Sequence, residues 1–329
     1  MSEILVFSEV KQNKLDSSTG ELLSAGQKLS KELNIPLSII IFNATDSLKD
    51  EARQWGADNI YTANDQLLES SIDEVYLEAL QQVCAFVNPS VILAAKTSLG
   101  RNVAARIAYR LNSSVAQDCI DISGDEKTGK ITVTRPVYGG NARAKFTFNG
   151  TATKVAILRV KSFECPEQNI SKVSEVHQIN IKIDKSKLKL NLVDTVKQES
   201  KGIKLEEASV IVGGGRGLGG PEPFKHLEEL AKILNGAVGA SRAVCDAGWL
   251  DHSYQIGLTG KTVTPELYIT IGISGASQHM AGCSSSKNIV AINKDEDANI
   301  FKAANFGVIG DWETILPSFT KTIRELIDS

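Results

Sequence analysis

The residues best suited to chemistry stand at the ends of short apolar runs in the C-terminal part of this 329-residue chain. Arg216 follows the run 208–212, and Ser241 and Arg242 follow 238–240. The stretch 255–262 adds Gln255, Thr259, Lys261 and Thr262. Ser274 to His279 come after the run 267–273, Asn293 after 288–292, and Asp311 after 306–309. These are hydroxyl, amide, guanidinium and imidazole groups, with no carboxylate-rich or cysteine-rich cluster beside them. In an open parallel sheet, ligands bind beyond the carboxyl ends of the strands, where these residues fall. Such a set suits a large, polar, anionic, polyhydroxylated ligand better than it suits hydrolysis.

The elements that must position them follow from periodicity. Between the runs lie helical patterns, among them 224–234 with Phe224, Leu227, Leu230, Ala231 and Leu234 on one face, and a closing helix over 315–326. Strands separated by helices predict a flavodoxin-like doubly wound sheet here. The N-terminal part shows the same rhythm. Strands are predicted at 4–9, 37–42, 59–62 and 91–95, and helices at 18–33, 47–55, 72–86 and 101–111. The rhythm breaks at 130–136, 144–148 and 154–158, β-rich runs parted by Gly139, Gly140 and Gly150, which predict antiparallel structure added to the parallel sheet. Residues 166–204 are polar and Lys-rich and read as an exposed edge and a linker. The expected domains are therefore 1–200 and 201–329.

Four local motifs mimic catalytic signatures. G-R-G-L-G-G at 215–220 matches a dinucleotide fingerprint, but Pro221 and Pro223 prevent a helix from starting at its usual place. Gly260-Lys261-Thr262 resembles the end of a phosphate-binding loop, yet Gln255 stands where its first glycine belongs. Gly272-Ile273-Ser274-Gly275 fails the nucleophile-elbow pattern at Ala276, and S-S-S-K at 284–287 lacks its companion motifs.

Composition narrows the class. Apolar residues make up 42% and charged residues 23%, which fits a globular rather than a disordered chain. Lys and Arg number 36 against 39 Asp and Glu, so the chain lacks the positive field of a nucleic-acid binder. The apolar runs are too short to span a bilayer. The five cysteines are scattered, with no C-x-x-C pair to suggest zinc or a disulfide framework. The start Met-Ser-Glu-Ile-Leu-Val-Phe enters a strand at once, so a cytoplasmic protein is expected.

The blocks V-G-A-S-R-A-V-C-D-A-G-W (238–249), Q-I-G-L-T-G-K-T-V (255–263), I-S-G-A-S-Q-H (273–279) and A-I-N-K-D (291–295) resemble the electron transfer flavoprotein alpha subunit. So do G-R-N-V-A-A-R-I-A (100–108) and R-P-V-Y-G-G-N-A (135–142) in the N-terminal half. The resemblance covers nearly the whole chain. It implies an FAD-binding C-terminal domain and a beta subunit partner meeting the N-terminal domain. It further implies a carrier without bond-making chemistry on a metabolite. Electrons would come from acyl-CoA dehydrogenases and other flavin dehydrogenases of fatty acid β-oxidation and pass to a membrane quinone oxidoreductase.

By the same resemblance, Arg216 approaches the FAD phosphates, and Ser241 and Arg242 the isoalloxazine ring. Thr259, in the segment Gln255, Ile256, Gly257, Leu258, Thr259, offers its hydroxyl to N5. Ser274, Gly275, Ala276, Ser277, Gln278 and His279 line the strand-to-helix turn. Asn293 and Asp311 hold the adenosine end, although Asp311 also reads as an N-cap for the last helix. A fixed guanidinium or imidazolium near the ring raises the flavin potential, by about 60 mV per 1.4 kcal/mol of preference for the reduced form. Many relatives carry Gln where this chain has Leu258, so one side-chain donor is missing. Two other readings stay open: an NADH-linked bifurcating member of the family, and a nicotinamide-dependent oxidoreductase using 213–220.

Overall fold

The computed structural model describes residues 3–70, 72–140, 142–150, 152–194 and 203–328. These divide into two compact units. The first holds the described residues through Val137 and those from 142 to 194; the second holds Tyr138–Gly140 and 203–328. The expected boundary at residue 200 lies outside the described residues.

The first unit begins with β1 (Ile4–Phe7), the small hairpin β2 (Val10–Lys11) and β3 (Lys14–Leu15), α1 (Ser17–Leu33), β4 (Leu37–Phe42) and α2 (Asp46–Gln54). It continues through β5 (Asn59–Ala63), α3 (Asp73–Val87), β6 (Val91–Ala95), α4 (Ser98–Arg110) and β7 (Val115–Cys119). Then come β8 (Asp121–Asp125), β9 (Lys130–Val137), β10 (Ala142–Thr147), β11 (Lys154–Leu158) and β12 (Glu175–Gln178). Seven parallel strands form the main sheet in the order β12-β5-β4-β1-β6-β11-β7. Its central strands are almost wholly apolar because both faces are covered. Ile4, Val6, Ile39 and Ile41 enter one core, and Leu5, Phe7, Ile40 and Phe42 the other.

The structure corrects one expectation here and adds strands that the sequence did not announce. Strands β8, β9 and β10 do form an antiparallel sheet, but Lys154–Leu158 does not join it. That segment returns to the main sheet and pairs in parallel with β6 and β7, burying Val155 to Leu158. Within the polar stretch 166–204, read as an exposed edge and a linker, Glu175–Gln178 is an edge strand paired in parallel with β5. Strands β7 and β8 went unforeseen because their sequences, V-A-Q-D-C and D-I-S-G-D, carry no apolar run.

The second unit runs β13 (Val210–Gly214), α5 (Phe224–Ile233), β14 (Ala237–Ala240), α6 (Arg242–Asp246), β15 (Leu267–Ile271), α7 (Ser277–Cys283), β16 (Asn288–Asn293), β17 (Phe306–Ile309) and α8 (Trp312–Asp328). All five strands are parallel, in the order β14-β13-β15-β16-β17. This is the doubly wound order predicted from periodicity, with its switch point between β13 and β15. Ile211, Tyr268 and Ala291 face one core, and Val212, Ile269 and Ile292 the other. No helix among the described residues is long and apolar enough to cross a membrane.

Candidate functional site

A cavity of about 690 Å³ opens at the carboxyl ends of the second unit's strands, a size typical of small-molecule sites. The turns after β13 and β15 build its floor. Gly217 N–H donates to the Gly272 carbonyl at 3.1 Å. Gly272 has φ +64°, and a Cβ at Gly215 would stand 2.1 Å from the Gly272 oxygen. Only glycines let these two backbones approach so closely in that conformation. The contact leaves Arg216, exposed and in no ion pair among the described residues, at the cavity wall.

Ser241 directly follows β14, tied by its N–H to the Gly214 carbonyl at 3.0 Å. The one-turn helix α6 then sets Arg242 and Asp246 on the same wall, with Arg242 Nε 3.2 Å from Asp246 Oδ2. Their side chains are 65% and 51% exposed, so this i,i+4 pair leaves the guanidinium largely free to answer a ligand.

The loop after α6 is held from both sides. Ile256 N–H donates to the Ala240 carbonyl at 2.9 Å, and Leu258 N–H to the Gln278 carbonyl at 2.7 Å. Gln255 is buried with both amide atoms engaged. Its Oε1 meets His252 Nδ1 at 3.1 Å, and its Nε2 donates to Thr259 Oγ1 at 3.0 Å. Thr259 thus accepts within the protein and keeps its O–H for a ligand. Leu258 is exposed.

Beyond β15, Ile273, Ser274, Ala276, Gln278 and His279 line the cavity. His279 is buried, with Nε2 2.9 Å from the Tyr268 hydroxyl. Its Nδ1 is buried and makes no hydrogen bond of good geometry with the described residues. Burial pushes its pKa down to about 4, against a weaker opposing pull from the Ile256 carbonyl. The ring is therefore neutral at pH 7, which replaces the imidazolium considered from sequence with an N–H dipole. Asn293 is also on the wall, its amide bridging the Ile273 carbonyl and the Asp295 N–H.

Of the residues expected from sequence, the cavity gathers Arg216, Ser241, Arg242, Gln255, Ile256, Gly257, Leu258, Thr259, Ser274, Ala276, Gln278, His279 and Asn293. Three do not line it. Gly275 turns toward the Ile300 backbone, where a Cβ would come within 2.3 Å of the nitrogen. Ser277 is exposed and donates to Gln278 Oε1 at 3.2 Å. Asp311 caps α8, with Oδ1 accepting from the Glu313 N–H at 3.0 Å. Gly217, Ala243, Asp246, Gly272 and Ile273 line it without having been singled out. Asp246 was legible as the i+4 neighbour of Arg242 on a helix.

A doubly wound sheet with two guanidinium groups, a free hydroxyl and an orphaned buried imidazole nitrogen at its switch point defines a nucleotide-type cofactor protein. An anionic diphosphate suits the arginines, and a ring bearing carbonyls and nitrogens suits the hydroxyl and the imidazole, so the residues fit a flavin dinucleotide. Comparison with known proteins agrees. Residues 4–183 match the electron transfer flavoprotein domain, and residues 204–284 match the electron transfer flavoprotein FAD-binding domain. The chain is 37% identical over 325 residues to the electron transfer flavoprotein subunit alpha of Thermoanaerobacterium thermosaccharolyticum, covering 98% of both chains. It is 36% identical over 324 residues to the same subunit of Bacillus subtilis, again covering 98% of each. It is also 32% identical over 322 residues to the lactate dehydrogenase (NAD(+),ferredoxin) subunit LctC of Acetobacterium woodii, covering 98% of this chain and 77% of that one. The chain belongs to the electron transfer flavoprotein alpha subunit family, and its cofactor is FAD.

Proposed function

We propose that this chain pairs with a beta subunit and acts as an FAD-bound electron carrier. It takes electrons from acyl-CoA dehydrogenases and other flavin dehydrogenases and delivers them to a membrane quinone oxidoreductase. The observation that carries this reading is the cavity, whose wall collects the family's flavin-motif residues at the sheet's switch point. The domains are 1–200, for the partner interface, and 201–329, for the cofactor.

Bound FAD supplies reversible electron uptake at its ring. Arg216 holds the phosphates by charge-assisted hydrogen bonds. Ser241 and Arg242 flank the ring, and Arg242 opposes negative charge that builds there on reduction. Thr259, oriented by Gln255, donates its hydroxyl toward N5. Ser274, Ala276, Gln278 and His279 orient the ring and its side chain, and Asn293 anchors the adenosine end. Asp311, whose Oδ1 caps α8, holds the adenosine end beside Asn293.

A second reading is favoured by one relative. The name of the A. woodii protein couples NAD(+) and ferredoxin, so an NADH-linked bifurcating member is the alternative. A nicotinamide site at 213–220 has less support, because a 3-10 turn at Arg216–Leu218 follows β13 and α5 starts only at Phe224. Anaerobic mixing of the two-chain complex with an acyl-CoA dehydrogenase and its substrate, and separately with NADH, discriminates. Bleaching by the dehydrogenase alone supports the carrier; bleaching by NADH alone overturns it.

A further inference from the structure

Tyr268 lies on β15 with its ring fully buried, behind rather than within the cavity wall. Its hydroxyl is 2.9 Å from His279 Nε2, and the two rings are 6.0 Å apart and inclined by 28°. The neighbouring strand makes room for this hydroxyl. A Cβ at Gly213 would stand 2.4 Å from the Tyr268 oxygen.

A phenol has one proton to donate, and a neutral imidazole has one N–H and one lone-pair nitrogen. His279 is the hydrogen-bond partner of the Tyr268 hydroxyl among the described residues. If Nε2 carried the ring proton, the phenolic proton would be left without an acceptor in the core, at a cost of about 1–3 kcal/mol. The pair is satisfied when Tyr268 donates to Nε2. The ring proton then sits on Nδ1, a buried atom whose protein neighbour is the Ile256 carbonyl. Burial keeps both groups neutral, holding His279 down to about 4 and raising the tyrosine well above its ordinary range. The ring therefore has a tautomer to fix.

We propose that Tyr268 is a positioning residue for the flavin site, holding His279 in its Nδ1–H tautomer so that the imidazole turns its N–H toward the Ile256 carbonyl and steadies the cavity loop from Gln255 to Thr259 against α7. This rests on the reading of that loop as a flavin contact.

The test uses the FAD-loaded two-chain complex labelled with 15N-histidine, with His279→Asn to assign the resonances. Long-range 1H–15N correlation near neutral pH is expected to show a protonated Nδ1 and an unprotonated Nε2. Tyr268→Phe is expected to shift the ring toward the Nε2–H form and weaken FAD retention about tenfold. An Nε2–H ring in the wild-type complex overturns the inference, and so does an unchanged Nδ1–H ring in Tyr268→Phe. If Tyr268→Phe does not fold, the wild-type spectrum still decides. A yellow complex with the wrong tautomer removes this inference alone. A complex that takes up no FAD removes the flavin reading and the inference with it.

Discussion

Gln255 Nε2 donates to Thr259 Oγ1 across 3.0 Å, while Gln255 Oε1 meets His252 Nδ1 at 3.1 Å. The amide is buried and internally satisfied, so Gln255 serves the site by aiming the Thr259 hydroxyl. Gln255→Leu keeps the approximate volume and removes both bonds. It is expected to weaken FAD retention about tenfold, the equivalent of one lost net hydrogen bond, about 1.4 kcal/mol. Equilibrium dialysis of FAD from the wild-type and variant complexes reads this out. Equal retention would show that Thr259 needs no such support.

Arg242 and Asp246 share the cavity wall with opposite charges. Asp246→Asn removes the negative member and is expected to raise the flavin potential, whereas Arg242→Ala is expected to lower it. Each shift is about 30–60 mV for one electron, corresponding to about 1 kcal/mol. Stability changes little, because an exposed i,i+4 pair contributes well under about 1 kcal/mol. Spectroelectrochemical titration checks both signs. Two shifts in the same direction would contradict the placement of the pair beside the ring.

His279 gives the flavin-free chain a pH signature. Its pKa is pushed down to about 4 in the folded protein, and an unfolded histidine titrates near about 6.5. Between these values the unfolded chain binds more protons, so stability falls as pH drops from about 6.5 to 4. The full loss is about 3 kcal/mol. His279→Asn removes this contribution. Denaturant midpoints of both proteins at pH 7 and pH 4.5 are expected to converge at the lower pH. A wild-type advantage of the same size at both values would contradict the buried neutral ring.

Much of this was legible in the sequence, for physical reasons. Strands such as Ile4–Phe7 and Val91–Ala95 announce themselves because sheets covered on both faces favour unbroken apolar runs. The cavity residues were legible because a doubly wound fold sends its ligands to strand ends. Other features left no local mark. Lys154–Leu158 looks the same whether it pairs in a hairpin or crosses back into a parallel sheet, since only its partners differ. Glu175–Gln178 is an edge strand with little burial, so E-V-H-Q shows no apolar signal. An aspartate after a strand serves as ligand, helix cap or both, and Asp311 gives Oδ1 to the cap.

The central claim is that the C-terminal unit holds FAD at the switch point of its sheet. The most direct measurement is the visible spectrum and flavin content of the chain co-expressed with its beta-type partner and isolated gently. A yellow complex is expected, with Arg216→Ala holding its FAD less tightly than wild type. A colourless complex that gains no flavin on incubation with FAD would contradict the account.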